Sequence, residues 1–362
     1  MARLEVSSDT SAFEVPAARD GSGRLTPACA AAARAMIDAH GFVVLTGLLS
    51  AAEADQGLAL ITATIADPER RRCTFASETD NRHLRRDFCA LPASPPVLGF
   101  AALLAQRLEA VIGEYCGRSR PLLEIITLTS YQGSSHQYFH RDPSGVLSLI
   151  AAVEDVSEEQ GGTVFVPGTH MHPGAEMRQA GATYAMMELF RRRANIGVLC
   201  HNLAKLWHMH RRGAPALAPG ELRERVFSTR WDQHQPNLLR FVLGKNAEFS
   251  LAMLGPRTLW RLYRHRAEMK RLFRLVQSAP RKGTVILYRS DMIHAGPDNR
   301  SPRPRRLFGM SIARDIIEPK YWHDGYSPHP SLIAAPLSFG DLLETAPLTL
   351  APPAPPVRAA TR

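Results

Sequence analysis

Two histidines, an aspartate and an arginine in this chain have the types and spacing that metal chemistry requires. The stretch Ser135-His136-Gln137-Tyr138-Phe139-His140-Arg141-Asp142 places His140 two residues before Asp142. If it continues the strand beginning near Glu124, both side chains leave the same face, because strand side chains alternate with period two. A lone H-x-D pair occurs in many proteins and needs a third ligand. A second imidazole follows downstream, where the strand-like run Gly283 to Tyr288 leads into Met292-Ile293-His294-Ala295-Gly296-Pro297. Eleven residues later Arg305, flanked by Arg303 and Arg306, opens another strand. Two histidines and one carboxylate on one face of an octahedron leave three positions open, the geometry of mononuclear non-heme Fe(II) sites. A guanidinium across such a pocket can hold a dicarboxylate by paired charge-assisted hydrogen bonds.

The elements that must position these residues show as changes of texture along the chain. A helical pattern from Pro27 to His40 stops at Gly41 and passes into the β-rich run Phe42 to Leu45. Helical patterns follow over Ser50 to Asp67 and Val97 to Tyr115. Between them, Pro68 to Asp87 holds six arginines and suits a surface loop or a substrate-facing wall. Short strands are predicted over Glu124 to Tyr131, Val146 to Val153 and Thr163 to Pro167. From about Met171 to Val276 the pattern is helical again, including Tyr184 to Arg193 and Leu259 to Val276. Strands resume at Gly283 to Tyr288 and Arg306 to Ile312. Neither β half can close a sheet alone, so the fold class is mainly β with flanking helices and a large basic helical insertion at about 172–276. A single domain is expected over 25–335, between a flexible N-terminal segment, 1–24, and a Pro/Ala-rich C-terminal tail, 336–362.

With 362 residues, 45% apolar and 22% charged, the chain can bury a substantial core, which excludes a disordered tail protein. No run of eighteen uncharged apolar residues occurs, and Met1 to Asp20 lacks the pattern of a signal peptide, so neither a membrane span nor secretion is expected. The five cysteines are scattered without a CxxC pair, which argues against a zinc finger or a disulfide framework and for the cytoplasm. Of the net charge of +10, residues 172–283 supply 21 Lys/Arg against 7 Asp/Glu, or +14, leaving −4 for the rest. Such a block attracts phosphates, carboxylates, nucleic acid or an acidic carrier protein, and is equally compatible with a solvated helical face.

The order of motifs resembles the phytanoyl-CoA dioxygenase group of Fe(II)/2-oxoglutarate oxygenases. The resemblance rests on His140-x-Asp142, on Asp155 to Thr163 running into Val166-Pro167-Gly168-Thr169-His170, on Gly283-Thr284-Val285, and on His294 and Arg305. It covers roughly Gly41 to Ile312 apart from the insertion, and His40 to Leu45 fits the family's opening. It implies a double-stranded β-helix, a cupin-type jelly roll with helices outside one sheet. It further implies that His140, Asp142 and His294 bind Fe(II), with 2-oxoglutarate and O2 as co-substrates and succinate and CO2 as products. Arg305 then pairs with the distal carboxylate of 2-oxoglutarate, and Gln137, three residues before the first ligand, lies beside the oxoacid. Arg305 is preferred to Arg303 by its offset from His294, and to Arg306 because strand parity turns Arg306 to the other face. Thr127, Thr129 and Tyr131 are candidates for the same wall, alternation leaving open which face is inward. Asp142 stands where halogenating relatives carry a small residue, which favours hydroxylation.

The expected activity is oxidation of an unactivated C–H bond in a small molecule, such as a specialised metabolite or a carrier-linked acyl or aminoacyl group. The long interval between Asp142 and His294 holds the basic block and admits an acidic carrier protein or a phosphate-bearing substrate. The alternative is a non-catalytic jelly roll using that block to bind nucleic acid or an acidic partner; a complete ligand set weighs against it. His136 reads as a polar loop residue and His170 as a turn cap. His201, His208 and His210 read as helix-surface residues, the Arg191 to Arg193 run as a solvated helix end, and Trp207, Trp231 and Trp260 as the insertion's own core or seam.

Overall fold

The computed structural model describes residues 5–67, 86–142, 144–170, 177–213, 272–313 and 328–348, with isolated positions between 257 and 267. Two mixed sheets with flanking helices make up the fold. The larger has the order β2 (Glu14–Pro16), β3 (Phe42–Thr46), β9 (Val285–Arg289), β6 (Val146–Ala152), β11 (Arg305–Ala313), β5 (Leu122–Ser130) and β4 (Arg86–Ala90). The smaller has the order β1 (Val6–Ser7), β8 (Leu275–Gln277), β7 (Val164–Phe165) and β10 (His294–Ala295).

Both faces of the large sheet are buried, so its strands read as continuous apolar runs and not as alternating ones. One face sends Val43, Leu147, Leu149, Leu287, Phe308 and Met310 into a core shared with Ala33 and Ile37 of the Pro27–His40 helix and with Phe100 and Leu104 of the Pro95–Arg107 helix. The other sends Phe42, Val44, Ile150, Ile286 and Leu307 against Phe165 and Val276 of the small sheet. The sheets therefore face each other; the Pro27–His40 and Pro95–Arg107 helices back the large one, and Met187, Phe190, Ala194 and Val198 of the Met177–Arg211 helix pack against Val164, Leu275 and Ala295 of the small one. The Pro27–His40 helix has its first turn capped by Thr26, whose Oγ1 accepts from Cys29 N–H, and it ends at Gly41 with φ +86°. A β-carbon at Gly41 would stand 2.6 Å from His170 Nδ1, so the helix stop also makes room for a buried imidazole.

Several expectations are corrected. The N-terminal segment is not loose throughout: β1 pairs with β8, β2 pairs with β3, and Phe13 is buried against Phe42 at 4.7 Å between ring centroids. The tail is packed as far as 348, where Gln106 Nε2 donates to Leu343 O and Thr345 O; 349–362 lie outside the described residues. The Val97 to Tyr115 helix is two helices, Pro95–Arg107 and Glu109–Tyr115, bent by 84°. The helix expected to reach Val276 gives way to β8, because Val164 and Phe165 offer the sheet edge that Gln277 and Val276 pair with. Of the insertion, the Met177–Arg211 helix is described, whereas 214–256 fall outside, as do 68–85 of the arginine-rich segment. Trp207 and Trp260 are exposed, not a core, and Trp231 lies outside the described residues. Among the described residues no single helix is long and apolar enough to cross a membrane.

Gly283 starts the turn into β9 with φ +84°, its N–H on Ala152 O and its carbonyl accepting from Leu49 N–H. A β-carbon there would lie 2.3 Å from Leu49 O. Gly283→Ala is therefore expected to destabilise the fold by about 1–3 kcal/mol, the usual cost of a strained backbone residue, read as a lower urea midpoint at unchanged slope; an unchanged midpoint would refute it.

Candidate metal centre

His140 and His294 come together because their backbones pair. His140 N–H donates to His294 O and His294 N–H to His140 O, both at 3.0 Å, and Asp142 N–H donates to Ser290 O at 2.9 Å. This ladder corrects the expectation that the H-x-D segment prolongs β5. That strand ends at Ser130, a turn with Gly133 at φ +81° intervenes, and His140 joins the 290–296 stretch instead. The two rings lie 4.5 Å apart between centroids, and Tyr288 meets the His294 ring edge-on at 5.3 Å.

The ring orientations follow from one repeated contact. His140 Nδ1 lies 2.8 Å from Tyr138 O, and His294 Nδ1 lies 2.9 Å from Met292 O, in each case the carbonyl two residues earlier. A carbonyl only accepts, so Nδ1 carries the proton and Nε2 of each neutral ring keeps its lone pair. Both Nε2 atoms face Asp142: His294 Nε2 is 3.4 Å from Oδ2 and His140 Nε2 is 3.8 Å from Oδ1. One ligand atom from each residue lies within 4.8 Å of the other two, a group able to hold a metal ion.

Electrostatics distinguish the three groups. Burial, and then the neighbouring His294, hold His140 below the ordinary imidazole value. Burial also pulls on His294, but the hydrogen bond and charge of Asp142 outweigh it and leave that ring above its ordinary value. Burial pushes Asp142 up, and its hydrogen bond to His294 and the charge of both rings override this to keep it below the usual carboxylate range.

Arg305 and Arg306 open β11 on opposite faces, as parity requires. Arg305 pairs across the sheet with Ser130 and points between the sheets, donating to Ser130 Oγ (2.8 Å), to Gly162 O (2.8 Å) and to Gly161 O. Arg306 turns away to Glu154. Thr127 and Thr129 lie opposite Phe308 and Arg306 and so belong to the helix-backed face; Ile126, Leu128 and Ser130 are the inward residues of β5. Tyr131 donates to Asp87. Gln137 Oε1 accepts from Gly296 N–H at 2.8 Å, close to Arg86.

Three features were missed from the sequence. Arg86, the last of six arginines in a charged run, is buried and donates to Ser135 O (2.7 Å), Gly296 O (3.0 Å) and Pro297 O. Burial lowers it to about 10, and burial together with the neighbouring Arg86 drives Arg305 well down. Among the described residues neither guanidinium has a carboxylate within 4 Å, so the pair forms a buried positive site with Asp298 as its nearby counter-charge. His136 is buried, not a loop residue at the surface, and burial holds it down at about 4. A polar row also crosses the inner face: Glu124, Ser311, Ser148 and Tyr288 occupy successive paired positions, with Ser311 Oγ donating to Glu124 (2.9 Å) and lying 3.1 Å from Ser148 Oγ. No sequence signal singled out these residues, because each requires the register of three strand pairs. His170 is buried at Asp38 O, and His201 lies 3.3 Å from Asp298; neither joins the metal group.

The solved structures most similar to this chain include the non-heme alpha-ketoglutarate-dependent carbocyclase SnoK from nogalamycin biosynthesis, at 13% identity over 82% of this chain and 87% of that one (TM-score 0.46). They also include EctD from S. alaskensis with 2-oxoglutarate and 5-hydroxyectoine, at 17% over 86% and 84% (0.45). HygX from Streptomyces hygroscopicus with nickel, 2-oxoglutarate and hygromycin B is similar at 17% over 80% and 87% (0.41). No curated protein matches the chain. A family model described as phytanoyl-CoA dioxygenase (PhyH) matches residues 37–307, three quarters of the sequence, with His140, Asp142, His294 and Arg305 among them, and the chain belongs to that family.

Proposed function

We propose that the protein is an Fe(II)- and 2-oxoglutarate-dependent dioxygenase that hydroxylates, or otherwise oxidises, an unactivated C–H bond of a small molecule. The observation that carries this reading is the convergence of His140 Nε2, His294 Nε2 and the Asp142 carboxylate within 4.8 Å, both rings already fixed through Nδ1. Two neutral nitrogens and one ionised oxygen suit Fe(II), and Asp142 fills the third protein position, which favours hydroxylation over halogenation. When bound, iron and 2-oxoglutarate supply oxidation of a C–H bond by O2, coupled to decarboxylation of the oxoacid to succinate and CO2.

The chain's own residues bind and orient. Arg305, buried beside Arg86 without a carboxylate partner among the described residues, would grip the distal carboxylate of the oxoacid, with Ser130 Oγ at its side. Gln137 Oε1 is already engaged by Gly296, so its Nε2 would be the atom that donates to the oxoacid. The Glu124 to Tyr288 row lies next to the His294 ring and suits a small substrate with polar groups to recognise. The +14 charge of residues 172–283 supports an acidic carrier or a phosphate as the handle of that substrate, and the thiols of Cys29, Cys89, Cys116 and Cys200, none in a disulfide among the described residues, suit the cytoplasm. A non-catalytic scaffold has no use for such a complete and pre-oriented ligand set.

Binding of Ni(II) or anaerobic Fe(II) should release protons, because His294, held above its ordinary value by Asp142, must be neutral to coordinate. Affinity is expected to fall as pH drops through the imidazole range, by up to about tenfold per unit for each proton displaced, and His294→Ala should abolish tight binding. Titration calorimetry in buffers of different ionisation enthalpy would expose an error as pH-independent uptake without proton release.

Succinate release should depend on Fe(II), 2-oxoglutarate and a substrate drawn from a small-molecule panel, with a sixteen-dalton gain in that substrate by mass spectrometry. Arg305→Ala is expected to raise half-saturation for 2-oxoglutarate by roughly 30-fold or more, the cost of losing one partner of a buried charge pair, whereas Arg306→Ala on the opposite face should leave it near the parent value. Equal effects of the two substitutions, or succinate at background with every substrate, would overturn the reading.

A further inference from the structure

The segment carrying His140 and Asp142 belongs to no strand, yet both of its edges are paired. One edge meets residues 290–296 through backbone hydrogen bonds. The other meets the Met177–Arg211 helix through side chains. Asn195 Oδ1 accepts from Phe139 N–H at 2.7 Å while Asn195 Nδ2 donates to Phe139 O at 3.1 Å. Asn202 repeats the pair at His136, accepting from its N–H at 3.2 Å and donating to its carbonyl at 3.1 Å. Lys205 donates to Ser134 O at 2.6 Å, and Arg191 to Phe139 O at 3.4 Å. Beyond Arg191, buried Glu188 stands 3.9 Å from Arg141, the residue between the two ligands.

The spacing is matched. Asn195 and Asn202 are two helical turns apart, about 10.5 Å, and Phe139 and His136 are three residues apart, a stretch of chain that spans at most about 10 Å. A side-chain amide presents an N–H donor and a carbonyl acceptor side by side, as an extended backbone does. Both asparagines are buried on a helix, where an unpartnered amide would be costly. We propose that this helix acts as a surrogate edge strand that fixes the height and direction of His140 and Asp142, so that Asn195 and Asn202 are positioning residues of the metal centre. The inference rests on His140, Asp142 and His294 being the ligands.

Two measurements on the full-length chain test it. In the metal-free protein, the Phe139 and His136 amides should exchange with solvent at least about 100-fold more slowly than an unstructured chain, although they lie outside any strand, and Asn195→Ala should remove the protection at Phe139. Exchange at the unstructured rate in the parent would overturn the clamp, even if the variant proved unable to fold. Ni(II) affinity should fall about tenfold to a hundredfold in Asn195→Ala and in Asn202→Ala, the usual effect of losing an outer support of a metal ligand, with Asn195→Asp, which keeps only the acceptor, in between. Leu203→Ala, exposed on the same helix, should bind within twofold of the parent. Folded Asn195→Ala and Asn202→Ala proteins that also bind within twofold would refute the positioning role. If the parent itself ignored Ni(II) while both amides stayed protected, the ligand assignment would fall and the surrogate strand would remain.

Discussion

One short antiparallel contact governs this protein: His140 and His294 exchange two backbone hydrogen bonds of 3.0 Å. Each ring is tethered through Nδ1 to the carbonyl two residues behind it, so pairing the backbones also aims both Nε2 atoms. Little rotamer freedom is left for a ligand to remove, which is what preorganisation means for a metal site. The surrounding structure serves this contact. The His294 strand is held by Phe165 in the small sheet, and the His140 segment is held by residues 290–296 on one side and by asparagine amides on the other.

Charge in the interior is divided between two ends. At the metal end, Asp142 is the anion and the two imidazoles surround it. At the other, Arg86 and Arg305 are buried side by side, their charge spread over the carbonyls of Gly161, Gly162, Ser135 and Gly296. Carbonyl dipoles satisfy part of the two guanidinium groups, leaving the Nε of each without a partner among the described residues, and do not neutralise the charge; burying uncompensated charge is expensive. Among the described residues Asp298 is the nearby carboxylate that offsets it, and it is shared with His201 and Lys205. An excess of buried positive charge on Arg86 and Arg305 would suit the dicarboxylate proposed as co-substrate.

Residues whose roles depend on local pattern were legible in the sequence. The H-x-D pair, the second histidine at a strand end and the parity separating Arg305 from Arg306 all follow from short-range rules, and the helix stop at Gly41 does so too. What depends on pairing between distant segments was not. Thr127 and Thr129 face the helices, not the site, because the inward face of β5 is chosen by its register with β11. Arg86 is one of six arginines that suit a surface loop or a substrate-facing wall, and only the pairing of β4 with β5 puts it beside Ser130. His136 looked polar and exposed until Asn202 and the long helix covered it. The N-terminal residues lack periodicity, yet Phe13 is a core side chain because the pairing of β2 with β3 sets it against Phe42 and His40.

The long interval between Asp142 and His294 costs less than its length suggests. Loop-closure entropy grows only with the logarithm of loop length, about 0.6 kcal/mol for each doubling, so an inserted helix barely hinders the meeting of the two ligands. The location matters more than the length. Without the helix, the His140 segment would expose the Phe139 and His136 peptide groups along an open edge, and buried or half-buried edges of this kind must be hydrated, paired or covered. A helix whose amides reach those two peptides closes that edge without adding a strand to the small sheet.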